Sequence, residues 1–157
     1  MLNLRERTKI ESPCYWLKGR DFVHQGKIEI DVNEMAVTFK LDEPSEASAP
    51  FFIHFINQIW QGDYGMEKTQ IALSKTIKIT AYDGNVLVGC LRILSDGYYF
   101  ATITELLVLP ENQNQGIGSK LLQLARDNTP TMFYFGAQPG IEAFYEKNGC
   151  QKACNLT

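Results

Sequence analysis

Residues 106–124 read LLVLPENQNQGIGSKLLQL. The apolar run that closes on Leu109-Pro110 has the composition of a buried strand, a polar turn follows, and Gly116-Ile117-Gly118 opens a helix. Ile117, Leu121, Leu124 and Ala125 fall on one face of that helix. Glycines at such a junction let the backbone approach a ligand with no Cβ in the way, and the free amides of a first helical turn carry the positive end of the helix dipole. The combination suits an anion, and phosphate is the usual one. Two common phosphate loops do not fit. A GxxxxGK[ST] loop would need glycine where Gln113 stands, so Ser119 and Lys120 do not complete one. A GxGxxG fingerprint would need glycine at Leu121.

What fits is Gln113-x-x-Gly116-x-Gly118 directly after a strand of L-x-V-x-P form, which resembles the coenzyme A loop of the GNAT superfamily of N-acetyltransferases. The resemblance continues in order from about Val86 to Gly149. Val88-Gly89-Cys90-Leu91-Arg92 resembles the family's third strand, Ser95-Asp96-Gly97 its hairpin turn, and Ile103 to Pro110 its fourth strand. Phe144-Tyr145-Glu146-Lys147-Asn148-Gly149-Cys150 resembles its FYEKxGF signature. The resemblance implies an α/β fold: a mixed, mostly antiparallel central sheet with a splayed strand pair and helices on both faces. It also implies acetyl-CoA as co-substrate.

Composition is consistent with one soluble domain. The 157 residues suffice for a proper core, and 45% hydrophobic with 21% charged residues is ordinary for a globular chain. A net charge of -3 argues against nucleic acid as a partner, because neutralising phosphates takes an excess of Lys and Arg. Cys14, Cys90, Cys150 and Cys154 form no CxxC pair and have no histidine at ligand spacing, so a reduced cytoplasmic chain without metal is expected. No apolar stretch approaches membrane length, and Met1 to Arg7 is too charged for a signal peptide.

Along the chain, 27–32 and 36–41 alternate charged and apolar residues, which predicts two strands around a turn at Val32-Asn33-Glu34. The family usually begins with the second of these. The acetyltransferase domain is therefore expected over 35–157, with 1–34 as an N-terminal extension, possibly strand-forming, or an over-long gene start. Phe51 to Trp60 reads as a buried amphipathic helix and Met66 to Ser74 as a shorter one. In the family these two cover the acceptor pocket. Trp60, Tyr64 and Met66 are core or pocket lining, and His54 reads as a packed or surface histidine. Strands follow at 76–82, 86–94 and 98–109, then a short buried strand at 131–135 and a last helix from Pro139 to Lys147, stopped by Gly149.

The chemistry implied is transfer of an acetyl group to a primary amine of a small molecule, directly and in a ternary complex. It needs the thioester held beside the amine, a deprotonated amine, oxyanion stabilisation and a proton for the departing thiolate. By the resemblance, the backbone of Leu106, Leu107 and Val108 pairs with pantetheine, with one amide facing the thioester oxygen. Amides of Gln115, Gly116, Ile117, Gly118 and Ser119 take the pyrophosphate beside Gln113. Lys120 and Arg126 reach phosphate or are solvated helix charges. Alanine at either glycine is expected to clash with the ligand. Tyr145 is the general acid, since a phenol stays protonated at neutral pH. Glu105 is the candidate base, with ordered water as the family's alternative, or it is an ion-pair partner of Lys78 or Arg92. No G-x-S-x-G elbow occurs, so no covalent nucleophile is implied.

Two departures from the family pattern stand out. Gln138 replaces the Asn usual before the signature, which changes its reach towards pantetheine. The chain also ends at Thr157, where members continue, so one wall of the acceptor site is short or is supplied by the N-terminal segment or by a second copy in a homodimer. Both departures also suit a second reading, a non-catalytic coenzyme A sensor; a third, a protein or peptide acetyltransferase, would need an open peptide groove.

Overall fold

A computed structural model of the chain describes residues 14–17, 37–42 and 48–153. The expected strand at 27–32 lies outside them. Strands are β1 Cys14–Leu17, β2 Val37–Leu41, β3 Ile77–Asp83, β4 Val86–Ser95, β5 Ala101–Val108, β6 Phe133–Gly136 and β7 Gln151–Lys152. Helices are α1 Ala49–Asn57, α2 Met66–Ser74, α3 Ile117–Asp127 and α4 Glu142–Lys147.

The strands form one sheet in the order β2-β3-β4-β5-β6-β1-β7. Every neighbouring pair is antiparallel except β5 and β6, which run parallel. That mixed sheet is what the sequence implied, and so is its splay. β5 and β6 are paired at Ala101↔Phe133 and diverge from there, so the far end of β5, Leu106 to Val108, has an edge free of ladder bonds to β6. β4 and β5 pair in register at Arg92↔Glu105 and then at Ile93↔Ile103, which leaves Thr104 as a bulge immediately before Glu105. Bulges re-aim neighbouring side chains, and they concentrate beside active sites.

Helices cover both faces. Gly89 and Arg92, three residues apart on β4, point to opposite sides. A Cβ on Gly89 would meet Ile117 and Leu121 of α3 at 3.1 and 3.2 Å, whereas the Arg92 guanidinium lies over the Phe52 ring of α1 at 5.3 Å. Gly89 is what allows α3 to press this close to the sheet. α1 starts at Ala49-Pro50, with Pro at a position whose amide is unpaired in any helix, and buries Ala49, Phe52, Phe55 and Ile56. It stops at Asn57, three residues short of the expected end, where the Asn57 side chain accepts from the Gly62 amide. α2 buries Leu73 and is closed at its C-terminus by Lys78, whose Nζ donates to the carbonyls of Leu73 and Thr76 and to Asp42.

β5 begins at Ala101 and not at Tyr98, because the Asp96 carboxylate accepts the amides of Tyr98, Tyr99 and Phe100 and folds that stretch into the turn. Those same bonds, the one from the Phe100 amide first, hold the Asp96 carboxyl below its ordinary range. At the other end of the sheet, β7 is only two residues long. β1 lies between it and β6, with Tyr15 opposite both Phe135 and Lys152 and Trp16 opposite both Tyr134 and Gln151.

Candidate active site

A cleft of about 480 Å³ opens where the splayed end of β5 meets the starts of α3 and α4. Leu106 and Val108 form one wall, the loop from Asn112 to Ser119 the second, and Ile141, Phe144, Tyr145 and Lys147 the third. The loop is shaped by its backbone. Pro110–Asn112 makes a single 3-10 turn, and Asn114 and Gly116 both take left-handed conformations, at φ 59° and 85°. Gly116 then caps α3, its carbonyl accepting from the Lys120 amide at 3.0 Å. Left-handed geometry costs an ordinary residue about 1–2 kcal/mol, which accounts for the glycine.

Each glycine also has a role within the protein itself. A Cβ on Gly116 would meet no protein atom within 4 Å, so against the protein its value lies in the dihedral. A Cβ on Gly118 would press on the Phe144 ring at 3.3 Å, so this position controls how closely α3 and α4 approach. Both effects are internal to the protein. Ser119 faces the cleft from the first turn of α3, and Gln113 donates through Nε2 to the Val108 carbonyl at 3.1 Å, tying the loop back to β5.

Tyr145 is 5% exposed and borders the cleft. Its ring is held by Phe135 at 4.9 Å, Phe144 at 5.1 Å and Tyr15 at 5.7 Å. Burial, with a smaller contribution from Cys150, pushes its phenol up to about 12. The hydroxyl therefore remains protonated across the physiological range.

Glu105 sits on the opposite face of the sheet from Leu106 and Val108, as strand alternation requires. Of its two foreseen partners it takes Arg92: Nε donates to Oε1, and Nη2 to Oε2 at 2.9 Å. The pair is side-on and largely buried, with the carboxylate side chain 6% exposed. Lys78 is occupied at the end of α2. Glu105 does not line the cleft.

Other expected residues stand outside the cleft lining. The Leu107 side chain is buried on the Glu105 face, Lys120 points to Gln123, and Gln115 donates to the Glu111 carbonyl. Gln138 is exposed before α4. Trp60 and Met66 are 41% and 54% exposed, and His54 is exposed. A second cavity of about 370 Å³ shares Ser119 and Lys147 with the first and is lined also by Leu17, Leu122 and Arg126. Leu17, through this cavity, and Tyr15, through its ring against Tyr145, border the site region without having been foreseen; the signal was the apolar run Tyr15-Trp16-Leu17 after Pro13. Among the described residues, no group of three or more His, Cys, Asp or Glu is arranged to hold a metal, and no helix is long and apolar enough to cross a membrane.

Residues 75–151 match the family model of the GNAT acetyltransferase domain. Solved structures agree over most of the chain. A GNAT family acetyltransferase from Streptococcus pneumoniae TIGR4 shares 26% identity at a TM-score of 0.58, covering 72% of this chain and 86% of its own. Residues 75–151 form a GNAT acetyltransferase domain. More distant GNAT relatives share the fold alone. A putative acetyltransferase from Deinococcus radiodurans R1 superposes with TM-score 0.63 at 18% identity, over 78% of this chain and 87% of that one. Glucosamine-6-phosphate N-acetyltransferase from Arabidopsis thaliana superposes with TM-score 0.58 at 14% identity, over 76% and 96%. No curated protein matches the sequence. The GNAT match spans β3 to β7 and therefore both the glycine loop and Tyr145, while β1 lies outside it.

Proposed function

We propose that the chain is an acetyl-CoA-dependent N-acetyltransferase that moves an acetyl group to a primary amine of a small molecule, directly and in a ternary complex. One observation carries this: the glycine loop, the ladder-free edge of β5 and Tyr145 line a single cleft. Those parts fit the co-substrate. The amides of residues 115–119 at the start of α3 would hold its pyrophosphate, and the backbone of Leu106, Leu107 and Val108 its pantetheine arm. The thioester supplies the acetyl group and a thiolate leaving group.

The chain's own residues do the rest. An amide on the edge of β5 would stabilise negative charge developing on the carbonyl oxygen, and it needs no reorganisation because the strand fixes it. The amine enters from the Glu105 face. An alkylammonium is mostly charged at neutral pH and must lose a proton before it can attack. Arg92 takes one lone-pair position on each oxygen of Glu105, which leaves the others to accept from the ammonium or from a water that takes its proton. Tyr145, protonated and beside the cleft, donates to the departing thiolate.

Calorimetric titration with acetyl-CoA, followed by thiol release over arylalkylamines, polyamines, aminoglycosides and amino acids, tests the reading. Binding together with turnover on an amine is the expected outcome. Binding without turnover on the whole panel would replace it with a coenzyme A sensor, and no binding would reduce the glycine loop to a packing turn.

A further inference from the structure

The Tyr145 hydroxyl has no hydrogen-bond partner among the described residues, and α4, which carries it, is only six residues long. Neither a hydrogen bond nor a long helix fixes the direction of the phenol. Ring packing does. Phe135 and Phe144 belong to elements beside the cleft, but the third ring, Tyr15, comes from β1, outside the segment that matches the family model.

We infer that Tyr15 is a positioning residue for Tyr145, and that β1, a strand from the N-terminal segment, is an integral part of the catalytic domain. β1 is bound on both edges, to β6 through Cys14↔Gly136 to Leu17↔Phe133 and to β7 through Tyr15↔Lys152 and Trp16↔Gln151. The Ala153 amide also donates to the Cys14 carbonyl at 2.8 Å. That double pairing puts Tyr15, completely buried, beneath α4. Its ring stacks on Phe135 at 6.0 Å with 23° between planes, and faces Tyr145 at 5.7 Å. Its hydroxyl reaches Glu146 only at 3.5 Å, the outer limit of a hydrogen bond, so the ring is the working part. Without that ring a void opens behind Tyr145, and the phenol can turn away from the cleft or admit water.

The inference rests on the general-acid reading of Tyr145, and its test separates the two. Tyr15→Leu keeps both ladders of β1 and removes the ring; Tyr15→Phe keeps the ring and removes the hydroxyl. Tyr15→Leu is expected to lower kcat about tenfold with the KM for acetyl-CoA within about twofold, since a small misplacement of a reacting group is costly. Tyr15→Phe is expected to restore turnover to near that of the wild type. In a Tyr145→Phe background the Tyr15→Leu change should cost nothing more. Multiplying effects, or normal turnover by Tyr15→Leu, would overturn the inference while leaving the acid reading in place. A readout independent of turnover is the Tyr145 ring-carbon resonance in tyrosine-labelled protein, assigned by its loss in Tyr145→Phe. It should report a phenol still un-ionised at a pH of about 10.5 in the wild type and partly ionised in Tyr15→Leu. If Tyr145→Phe turns over normally, the acid role falls, and this resonance alone decides whether Tyr15 positions Tyr145; an unchanged titration overturns it.

Discussion

Tyr145 and Glu105 have opposite environments on opposite sides of the sheet, and the difference suits an acid and a proton acceptor. Burial keeps the phenol neutral, whereas Arg92 presents two donors to a carboxylate. Tyr145→Phe should therefore lower kcat by about tenfold or more with the Kd for acetyl-CoA within about twofold, measured by thiol release and calorimetry. Unchanged turnover would remove the acid role. For the pair, Arg92→Met should destabilise by about 3 kcal/mol in chemical denaturation, because it strands a buried carboxylate beside apolar neighbours. Glu105→Gln keeps one oxygen to accept from Arg92 and should cost nearer 1 kcal/mol in stability, while lowering kcat by about tenfold or more. Unchanged turnover would assign the proton to water alone.

At the scale of elements, the start of α3 makes two separable demands. Gly116→Ala strains a left-handed residue and should lower stability by about 1–2 kcal/mol. Gly118→Ala instead pushes on Phe144 and so tilts α4; it should depress kcat more than it weakens acetyl-CoA binding, because Tyr145 rides on the displaced helix. Equal losses in both would mean that the side chain obstructs the ligand directly. These local features were largely legible in the sequence. The turn after Leu109-Pro110, the helix face of Ile117, Leu121, Leu124 and Ala125, and the stop at Gly149 each follow from chemistry within a few residues. The Thr104 bulge was not, since only the pairing with β4 exposes it, nor was the choice of Arg92 over Lys78 as partner of Glu105. β1 was the largest omission. Cys14-Tyr15-Trp16-Leu17 has no alternation to mark a strand, and its burial depends on partners at 133–136 and 151–152.

For the whole molecule, the buried titratable groups set an alkaline limit. Desolvation raises Cys90 from 9.0 to about 12, Tyr145 from 10.0 to about 12 and Cys150 from 9.0 to about 11. Raised values mean that the native state favours the protonated forms. Their contribution is complete below about 9, where the unfolded thiols are still protonated, and is lost as the pH climbs through 11 to 12. The Tm should accordingly hold level from neutral pH to about 8.5 and fall steeply beyond about 9.5 in a thermal scan. The same burial predicts that Cys90 and Cys150 resist thiol reagents at a pH of about 8 until denaturant is added. Rapid native labelling of either would contradict it.

The position of β1 also orders events in time. A strand near the beginning of the chain lies between two that are made near its end, so during synthesis it has no edge to join until β6 and β7 have left the ribosome. The contact of Tyr15 with Tyr145 joins residues well over a hundred apart in the chain, which favours its closing late in folding. A nascent or truncated chain that has already built β2 to β5 and α3 would hold the glycine loop without a settled acid, and coenzyme A binding would precede the capacity to transfer.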